Sequence, residues 1–126
     1  MAAVAAINDL VPLVDAVIHT GDMTHTHAPD EYVLAREILS ALSAPLYVVP
    51  GNRDRRTNLR RTFIDDGYLQ GYENEPILYA VNQHAVRLIG YDSLSRASNK
   101  GDIDASRLDW LDSALADCPD RPTAIL

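Results

Sequence analysis

The stretch that decides the fold lies between residues 16 and 54 and holds two short apolar runs, each followed by a polar turn. The first run reads Ala16-Val17-Ile18-His19-Thr20-Gly21-Asp22, and the second reads Leu46-Tyr47-Val48-Val49-Pro50-Gly51-Asn52-Arg53-Asp54. Runs with β-branched residues that end at glycine predict buried strands followed by loops. Pro29-Asp30-Glu31 starts a helix over 30–42 between them, with an apolar face. The pattern predicts two parallel strands joined by a helix.

The flanking sequence predicts three more helices, three more strands and two loops. The helices show apolar residues at helical spacing and cover 3–11, 54–63 and a last segment from the cap Asp104 to Cys118. The strands are short runs, with 77–81 and 85–91 forming a β-hairpin and 122–126 closing the sequence. Polar segments with glycine predict loops over 67–76 and 93–101.

Length and charge limit the class of protein. The 126 residues allow one domain, and 18 acidic against 11 basic residues give a net charge of −7, which argues against general nucleic-acid binding. No apolar run approaches the roughly 20 residues that a membrane helix needs, and we do not expect the first residues to act as a secretory signal, because Asp9 interrupts their apolar run. We therefore expect a cytoplasmic protein that contacts no membrane.

Cys118 is the only cysteine, so an internal disulfide is excluded.

The two ends of the sequence predict a partial domain. The first helix has no cap, and the last strand is still running when the sequence stops. We therefore expect residues 1–126 to form a single partial domain with structure missing on each side. Unpaired sheet edges readily accept strands from other chains, so we also expect a homo-oligomer.

Two oxygen-bearing side chains, Asp22 and Asn52, follow the predicted parallel strands. In open α/β sheets the ligand site lies at the carboxyl ends of the strands, so we expect these side chains to lie close together there. Carboxylate and amide oxygens suit divalent metal ions. Either dipeptide, Gly21-Asp22 or Gly51-Asn52, is by itself as typical of an ordinary turn. Their occurrence after consecutive strands favours a site.

These residues resemble the calcineurin-like metallophosphoesterases, especially the branch that includes class III cyclic-nucleotide phosphodiesterases. The likeness runs in order through 19–22, 30–42, 47–54, 88–93 and 108–111. It implies an α/β fold, here an incomplete four-layer α/β/β/α sandwich, whose two-metal site hydrolyses a phosphodiester, with a cyclic nucleotide as the expected small substrate. By match of motif, Asp22 would bridge two divalent ions of manganese, iron or zinc, and Asn52 would bind the second.

The sequence also departs from the family pattern. The family's Asp-x-His motif would precede residue 1, and its later histidine motifs would follow residue 126. Arg53 stands where the family has the histidine of Gly-Asn-His, and arginine grips phosphate but delivers no proton near neutral pH. An alternative interpretation is therefore a truncated or degenerate member that acts as a non-catalytic binding or assembly domain. We expect the isolated chain to bind metal weakly and to show no hydrolysis.

His25 and His27 are candidates to replace the missing histidine. They could chelate a metal ion, or one ring could reach the phosphate, because their loop follows Asp22; the alternative is that both face water. We take Arg53 and His25 as the candidate catalytic residues. His19 reads as a hydrogen-bonded histidine within its strand, and His84 as a solvated turn residue.

The arginine-rich segment needs a local explanation, since ten of the eleven basic residues are arginine and five fall between 53 and 61. We take Arg53 and Arg56 as candidates for binding the substrate phosphate. Arg55, Arg56, Arg60 and Arg61 fit either a phosphate or nucleotide site or a solvated helix face paired with Asp65 and Asp66. Asp92, at the end of a predicted strand, fits either a residue that supports the site from behind or a turn residue, and the position favours the turn.

Overall fold

The computed structural model describes residues 2–95 and 100–126, so part of the predicted loop 93–101 lies outside the described residues. It contains helices around two β-sheets. The elements, in chain order, are α1 (Ala2–Asn8), β1 (Val17–His19), α2 (Pro29–Leu39), β2 (Leu46–Val48), α3 (Arg56–Phe63), a 3₁₀ turn (Ile64–Asp66), β3 (Leu78–Val81), β4 (Arg87–Tyr91), α4 (Ala105–Ala116) and β5 (Thr123–Ile125). Within these described ranges no helix is both long and apolar enough to cross a lipid bilayer.

The first sheet consists of β1 and β2, which run parallel and are connected through α2. Val17 pairs with Leu46, and His19 pairs with Val48. Pro29 begins α2 because its fixed φ suits the first helical turn, where a missing N–H costs no hydrogen bond. The predicted strand-helix-strand unit with parallel strands is confirmed, and it places both strand ends at one edge.

The second sheet has the order β3-β4-β5. The predicted hairpin is confirmed, because β3 and β4 pair antiparallel, and β5 then pairs parallel to β4 after α4. Asp104 caps α4 as expected, its side chain accepting a hydrogen bond from the Arg107 N–H. The α/β fold class is therefore confirmed, with two sheets and flanking helices.

Two apolar clusters hold the layers together. The larger one joins α2, α3 and the first sheet to the inner side of the second sheet, and includes Tyr32, Val48, Leu59, Phe63, Tyr79 and Leu88. The smaller one fixes α4 on the outer side of the second sheet through Ile89, Tyr91 and Ala114. The resulting order is helices, first sheet, second sheet and helix.

Tyr79 crosses the space between the two sheets. A side chain at Gly90 would meet the Tyr79 ring, since an added Cβ would lie 2.2 Å from Tyr79 Cε1. The Tyr79 hydroxyl donates to the Val48 carbonyl oxygen at 2.9 Å. Glycine at position 90 therefore makes room for the ring that joins the second sheet to the end of β2.

Several predicted elements are shorter in the structure: α1 ends at Asn8, α2 ends at Leu39 and β4 begins at Arg87, and two further differences have an evident cause. The helix predicted over 54–63 begins at Arg56, because Arg55 is extended and the Asp54 carboxylate is tied to the preceding turn. The strand predicted as buried over 16–20 covers only Val17–His19 and is half-buried. Ile18 is 39% exposed, since β1 pairs only with β2 within the described residues.

Candidate functional site

The candidate site lies where β1 and β2 end, and two glycines allow the turns there to touch. A Cβ on Gly21 would lie 2.2 Å from the Gly51 nitrogen, and a Cβ on Gly51 would lie 2.3 Å from Asp22 Oδ1. Gly21 also has φ +102°, a conformation that side chains disfavour. His19 supports the first turn through its Nδ1, which accepts from the Gly21 N–H at 3.3 Å. The site is thus built from backbone in direct contact.

Asp22 is exposed and projects its carboxylate onto the second turn. Its φ of +53° is left-handed, which aspartate tolerates better than most residues. Oδ1 accepts a hydrogen bond from the Arg53 N–H at 2.9 Å. This bond spans 31 positions of sequence and ties the end of β1 to the turn after β2.

Asn52 lies beside the same carboxylate. With its amide nitrogen turned toward Asp22, it donates to Oδ1 at 3.2 Å and to Oδ2 at 3.3 Å. Turned the other way, the amide oxygen faces two carboxylate oxygens, an arrangement that a cation between them would stabilise. The expectation that Asp22 and Asn52 lie close together is confirmed. Their binding of metal stays a prediction.

The oxygen atoms of Asp22 and Asn52 fit a hard divalent cation. Across residues 2–95 and 100–126, no group of three or more His, Cys, Asp or Glu side chains is arranged to hold a metal ion. Asp22 and Asn52 therefore stay the metal-ligand candidates that the motifs predict.

A buried carboxylate behind the two turns was missed by the sequence reasoning. Asp54 is fully buried, and its Oδ2 accepts from the Gly51 N–H at 2.9 Å and from the Met23 N–H at 3.3 Å. Its Oδ1 accepts from the Tyr32 hydroxyl at 3.0 Å, and that hydroxyl accepts from the Arg55 N–H at 2.8 Å. The only hint in the sequence is that Asp54 closes the Gly51-Asn52-Arg53-Asp54 turn.

Arg53 and His25 form a hydrogen-bonded pair at the surface beside Asp22. Arg53 Nη1 lies 2.8 Å from His25 Nδ1. Because a guanidinium only donates, Nδ1 accepts, and the ring proton of neutral His25 sits on Nε2. The structure thus brings both candidate catalytic residues together, with a histidine N–H directed away from the arginine.

His27 forms a second pair of the same kind. Its Nε2 lies 3.2 Å from Arg55 Nη2, and its carbonyl oxygen accepts from Asn58 Nδ2 at 3.1 Å. His25 and His27 therefore each engage an arginine rather than sharing one partner. The loop that carries them is also anchored to α2, because Glu31 accepts from both the backbone N–H and the hydroxyl of Thr26 at 2.9 Å.

Arg56 was predicted to contact the substrate phosphate, but the structure places its side chain in the interior. Its side chain is buried, with Nε 2.6 Å from Asp92 Oδ2 and Nη2 3.0 Å from Asp92 Oδ1. Asp92 is fully buried and also accepts from the N–H groups of Ile77 and Leu94, so this residue at the turn after β4 is also the buried partner of Arg56. A buried guanidinium is stable only beside an opposite charge, and the Asp92 carboxylate supplies that charge to Arg56.

The solvated-face interpretation fails for Arg60 and holds for Arg61, although Arg61 pairs with Glu73 and not with Asp65 or Asp66. Arg60 is buried and donates to carbonyl oxygens of Gln70, Glu73, Glu75 and Pro76, which organises the loop before β3. Arg61 is exposed and pairs with Glu73 at 2.6 Å, while Asp66 pairs with Arg36. His84 was expected to be solvated but is half-buried against the Tyr47 hydroxyl, at 3.0 Å.

Comparison with known proteins finds one matching family and several related proteins. The model of the calcineurin-like phosphoesterase family matches residues 2–119. A probable glycerophosphodiester phosphodiesterase of Arcobacter nitrofigilis is 36% identical over 91% of this chain and 41% of its own length. The glycerophosphodiester phosphodiesterase of Enterobacter lignolyticus is 34% identical over 97% of this chain and 44% of its own length.

A third relative carries a different substrate name. A probable cyclic nucleotide phosphodiesterase of Rhodopseudomonas palustris is 31% identical over 96% of this chain and 44% of its own length. The chain thus spans less than half the length of these curated relatives. The match of the family model over nearly all of its residues shows that the chain belongs to the calcineurin-like phosphoesterase family.

Proposed function

We propose that this chain contributes to the site of a metal-dependent hydrolase that cleaves a phosphodiester. The observation that carries the proposal is the contact between Asp22 and Asn52 at the end of the parallel strands, where one amide atom lies within 3.3 Å of both carboxylate oxygens. Membership of the calcineurin-like phosphoesterase family supports it. Bound divalent ions would polarise the phosphate and lower the pKa of water.

The residues around this contact supply the other functions that the reaction needs. Asp22 and Asn52 would hold the cation through their oxygen atoms, with Asp22 shared between two ions. Arg53 would bind phosphate oxygens through its fork of N–H groups. The Nε2–H of His25 would donate a hydrogen bond to the departing oxygen as the phosphorus–oxygen bond breaks, and solvent water would supply the proton that this oxygen takes up.

The substrate class follows from the chemistry that the relatives' names share. Two relatives are named as glycerophosphodiester phosphodiesterases and another as a cyclic nucleotide phosphodiesterase. A small phosphodiester is common to both names. We propose a cyclic nucleotide or a glycerophosphodiester, and competition by cyclic AMP and by glycerophosphocholine for the site distinguishes the two.

Metal binding is the first test of the proposal. Titration of the protein with Mn²⁺, followed by electron paramagnetic resonance, should show weak binding, because two ligands supply only part of a coordination shell. Asp22→Ala and Asn52→Ala should each abolish it. Asp15→Ala removes an exposed carboxylate elsewhere and should leave it unchanged. Equal Mn²⁺ binding in the protein with and without Asp22 would contradict the proposal.

Phosphate recognition is tested separately from metal binding. Inorganic phosphate added in the presence of Mn²⁺ should bind the protein less tightly after Arg53→Ala, since the guanidinium donates to phosphate oxygens. Arg61→Ala removes another exposed arginine, on α3, and is the matched control. An unchanged phosphate affinity in the Arg53 variant would remove the phosphate-binding role from that residue.

The second candidate function is a non-catalytic binding or assembly domain, which Arg53 in the histidine position favours. Hydrolysis of bis(p-nitrophenyl) phosphate with Mn²⁺ tests whether this alternative can be excluded. We expect no turnover from the isolated chain, because two metal-ligand candidates do not complete a two-metal site. Robust turnover that disappears in Asp22→Ala would establish catalysis and exclude the non-catalytic alternative.

A further inference from the structure

The buried pair formed by Asp54 and Tyr32 connects three separate parts of the chain. Asp54 belongs to the turn after β2, Met23 to the loop after β1, and Tyr32 to α2. Both Asp54 and Tyr32 have no exposed surface. The Asp54 carboxylate accepts three hydrogen bonds, which is how a buried carboxylate offsets the cost of losing water.

The positions of these bonds relative to the metal-ligand candidates are what matter. Met23 directly follows Asp22, and Gly51 directly precedes Asn52. One oxygen of Asp54 accepts from both backbone N–H groups, at 3.3 Å and 2.9 Å. A single carboxylate oxygen therefore fixes the residue beside each ligand candidate.

Tyr32 determines where that oxygen lies. Its hydroxyl donates to the other carboxylate oxygen of Asp54 and accepts from the Arg55 N–H. Tyr32 therefore fixes both the Asp54 side chain and the backbone of the next residue. Burial raises the pKa of Tyr32, so the hydroxyl keeps its proton and remains a donor. Without it, Asp54 Oδ1 would be buried without a partner.

We infer that Asp54 and Tyr32 are positioning residues that hold the Asp22 turn against the Asn52 turn, so that the side-chain oxygens of both residues could share a cation. The inference deepens the proposed function and rests on it for the metal, but not for the contact between the turns. Asp22 holds a left-handed backbone conformation, which needs support from its surroundings. Loss of the buried bonds should therefore loosen the two turns before it unfolds the sheets.

The Arg53 amide proton reports on this contact, because its hydrogen bond to Asp22 Oδ1 joins the two turns. In Tyr32→Phe, hydrogen exchange at the Arg53 amide should accelerate about tenfold or more, measured by NMR. Exchange at the Asp92 amide, which bonds to the Ile77 carbonyl oxygen in the other sheet, should follow only the overall stability. Asp54→Asn should accelerate exchange at Arg53 as well.

Tyr47→Phe is the matched control. Tyr47 is also a buried tyrosine whose hydroxyl has two hydrogen-bond partners, Gln83 and His84, but they lie away from the two turns. Its loss should not accelerate exchange at Arg53 relative to Asp92. Equal acceleration in Tyr32→Phe and Tyr47→Phe, or none in Tyr32→Phe, would overturn the inference.

Mn²⁺ affinity measures the consequence for the site. Loss of a residue that orients a metal ligand weakens affinity about 10–100-fold, so Tyr32→Phe should weaken Mn²⁺ binding within that range while Tyr47→Phe leaves it unchanged. Faster exchange at Arg53 with unchanged Mn²⁺ affinity would overturn the positioning role. If the unmodified protein binds no Mn²⁺, the proposed function fails, and amide exchange at Arg53 still decides whether the pair holds the turns together.

Discussion

Gly21 lies in backbone contact with Gly51, and this contact leaves no space for a side chain. We expect Gly21→Ala to lower the free energy of unfolding by about 3 kcal/mol or more, because the added methyl group meets backbone atoms and the φ of +102° is strained for alanine. Urea unfolding followed by circular dichroism measures the change.

Gly67→Ala is the control for backbone strain without a clash. Gly67 has φ +80°, and an added Cβ would meet nothing within 4 Å. We expect a loss of only about 1 kcal/mol, from conformational strain alone. Similar losses in the two variants would show that the turns can move apart, against the close contact described above.

The pair formed by Arg56 and Asp92 gives a second prediction for single residues. Asp92→Ala leaves a buried guanidinium without its carboxylate, which typically costs 3–5 kcal/mol, so we expect a loss of about that size in thermal or urea unfolding. Arg61→Ala breaks an exposed pair with Glu73 and should cost less than about 1 kcal/mol. A small effect of Asp92→Ala would mean that Arg56 finds other partners or reaches water.

At the scale of elements, the loop between β1 and α2 depends on the charge of Glu31. The Thr26 backbone N–H, followed by other bonds to Thr26 and His25, lowers the pKa of Glu31 below its usual value of 4.5. A lowered pKa means that the contact is fully present above the usual pKa and is lost as the pH falls through the lowered value. We therefore expect the protection of the Thr26 amide, measured as its exchange rate relative to the intrinsic rate at the same pH, to fall in that acidic range.

Glu31→Gln is the variant that tests this dependence. Its amide keeps one acceptor oxygen but carries no charge, so Thr26 exchange should already be fast at neutral pH and show no acidic transition. Glu37→Gln changes an exposed glutamate on the same helix and should keep the transition. Persistence of the transition in Glu31→Gln would assign it to another group.

The parallel pair of strands was predictable because each run shows its own beginning and end. Apolar residues fix β1 and β2, Pro29 starts the helix between them, and Gly21 and Gly51 stop the strands. The helix predicted from Asp54 began two residues late, because the carboxylate that would suit a first helical turn is instead held by Gly51 and Met23. Such bonds depend on tertiary contacts that local patterns do not contain.

The candidate site was predictable only in part. Asp22 and Asn52 could be placed together, because parallel strands end at one edge. The burial of Arg56 could not be predicted, since its partner Asp92 lies 36 positions away and an arginine on a short helix usually faces water. For the same reason Tyr32 read only as part of an apolar helix face.

At the scale of the whole molecule, β1 and the segment between α1 and β1 expose apolar side chains. Ile18 is 39% exposed, and exposure is larger at Leu10, Val11 and Leu13. Exposed strand edges with apolar residues pair readily, so we expect a dimer or larger assembly of this chain in light scattering. Ile18→Glu should shift it toward the monomer.

Ile64→Glu is the control for this prediction. Ile64 is 54% exposed but lies in the 3₁₀ turn after α3, so a charge there should leave the assembly unchanged. A monomer at high protein concentration would refute the expected self-association. Equal dissociation by both substitutions would move the interface away from β1.

The ring of Tyr79 occupying the space at Gly90 has a consequence for how sequences of this family diverge. At this point the Tyr79 side chain spans the distance between the two sheets. Position 90 therefore has no room for any atom beyond the backbone. Evolution can therefore enlarge residue 90 only where residue 79 has become smaller. We expect the two positions to covary among homologous sequences, with glycine at 90 wherever an aromatic ring stands at 79.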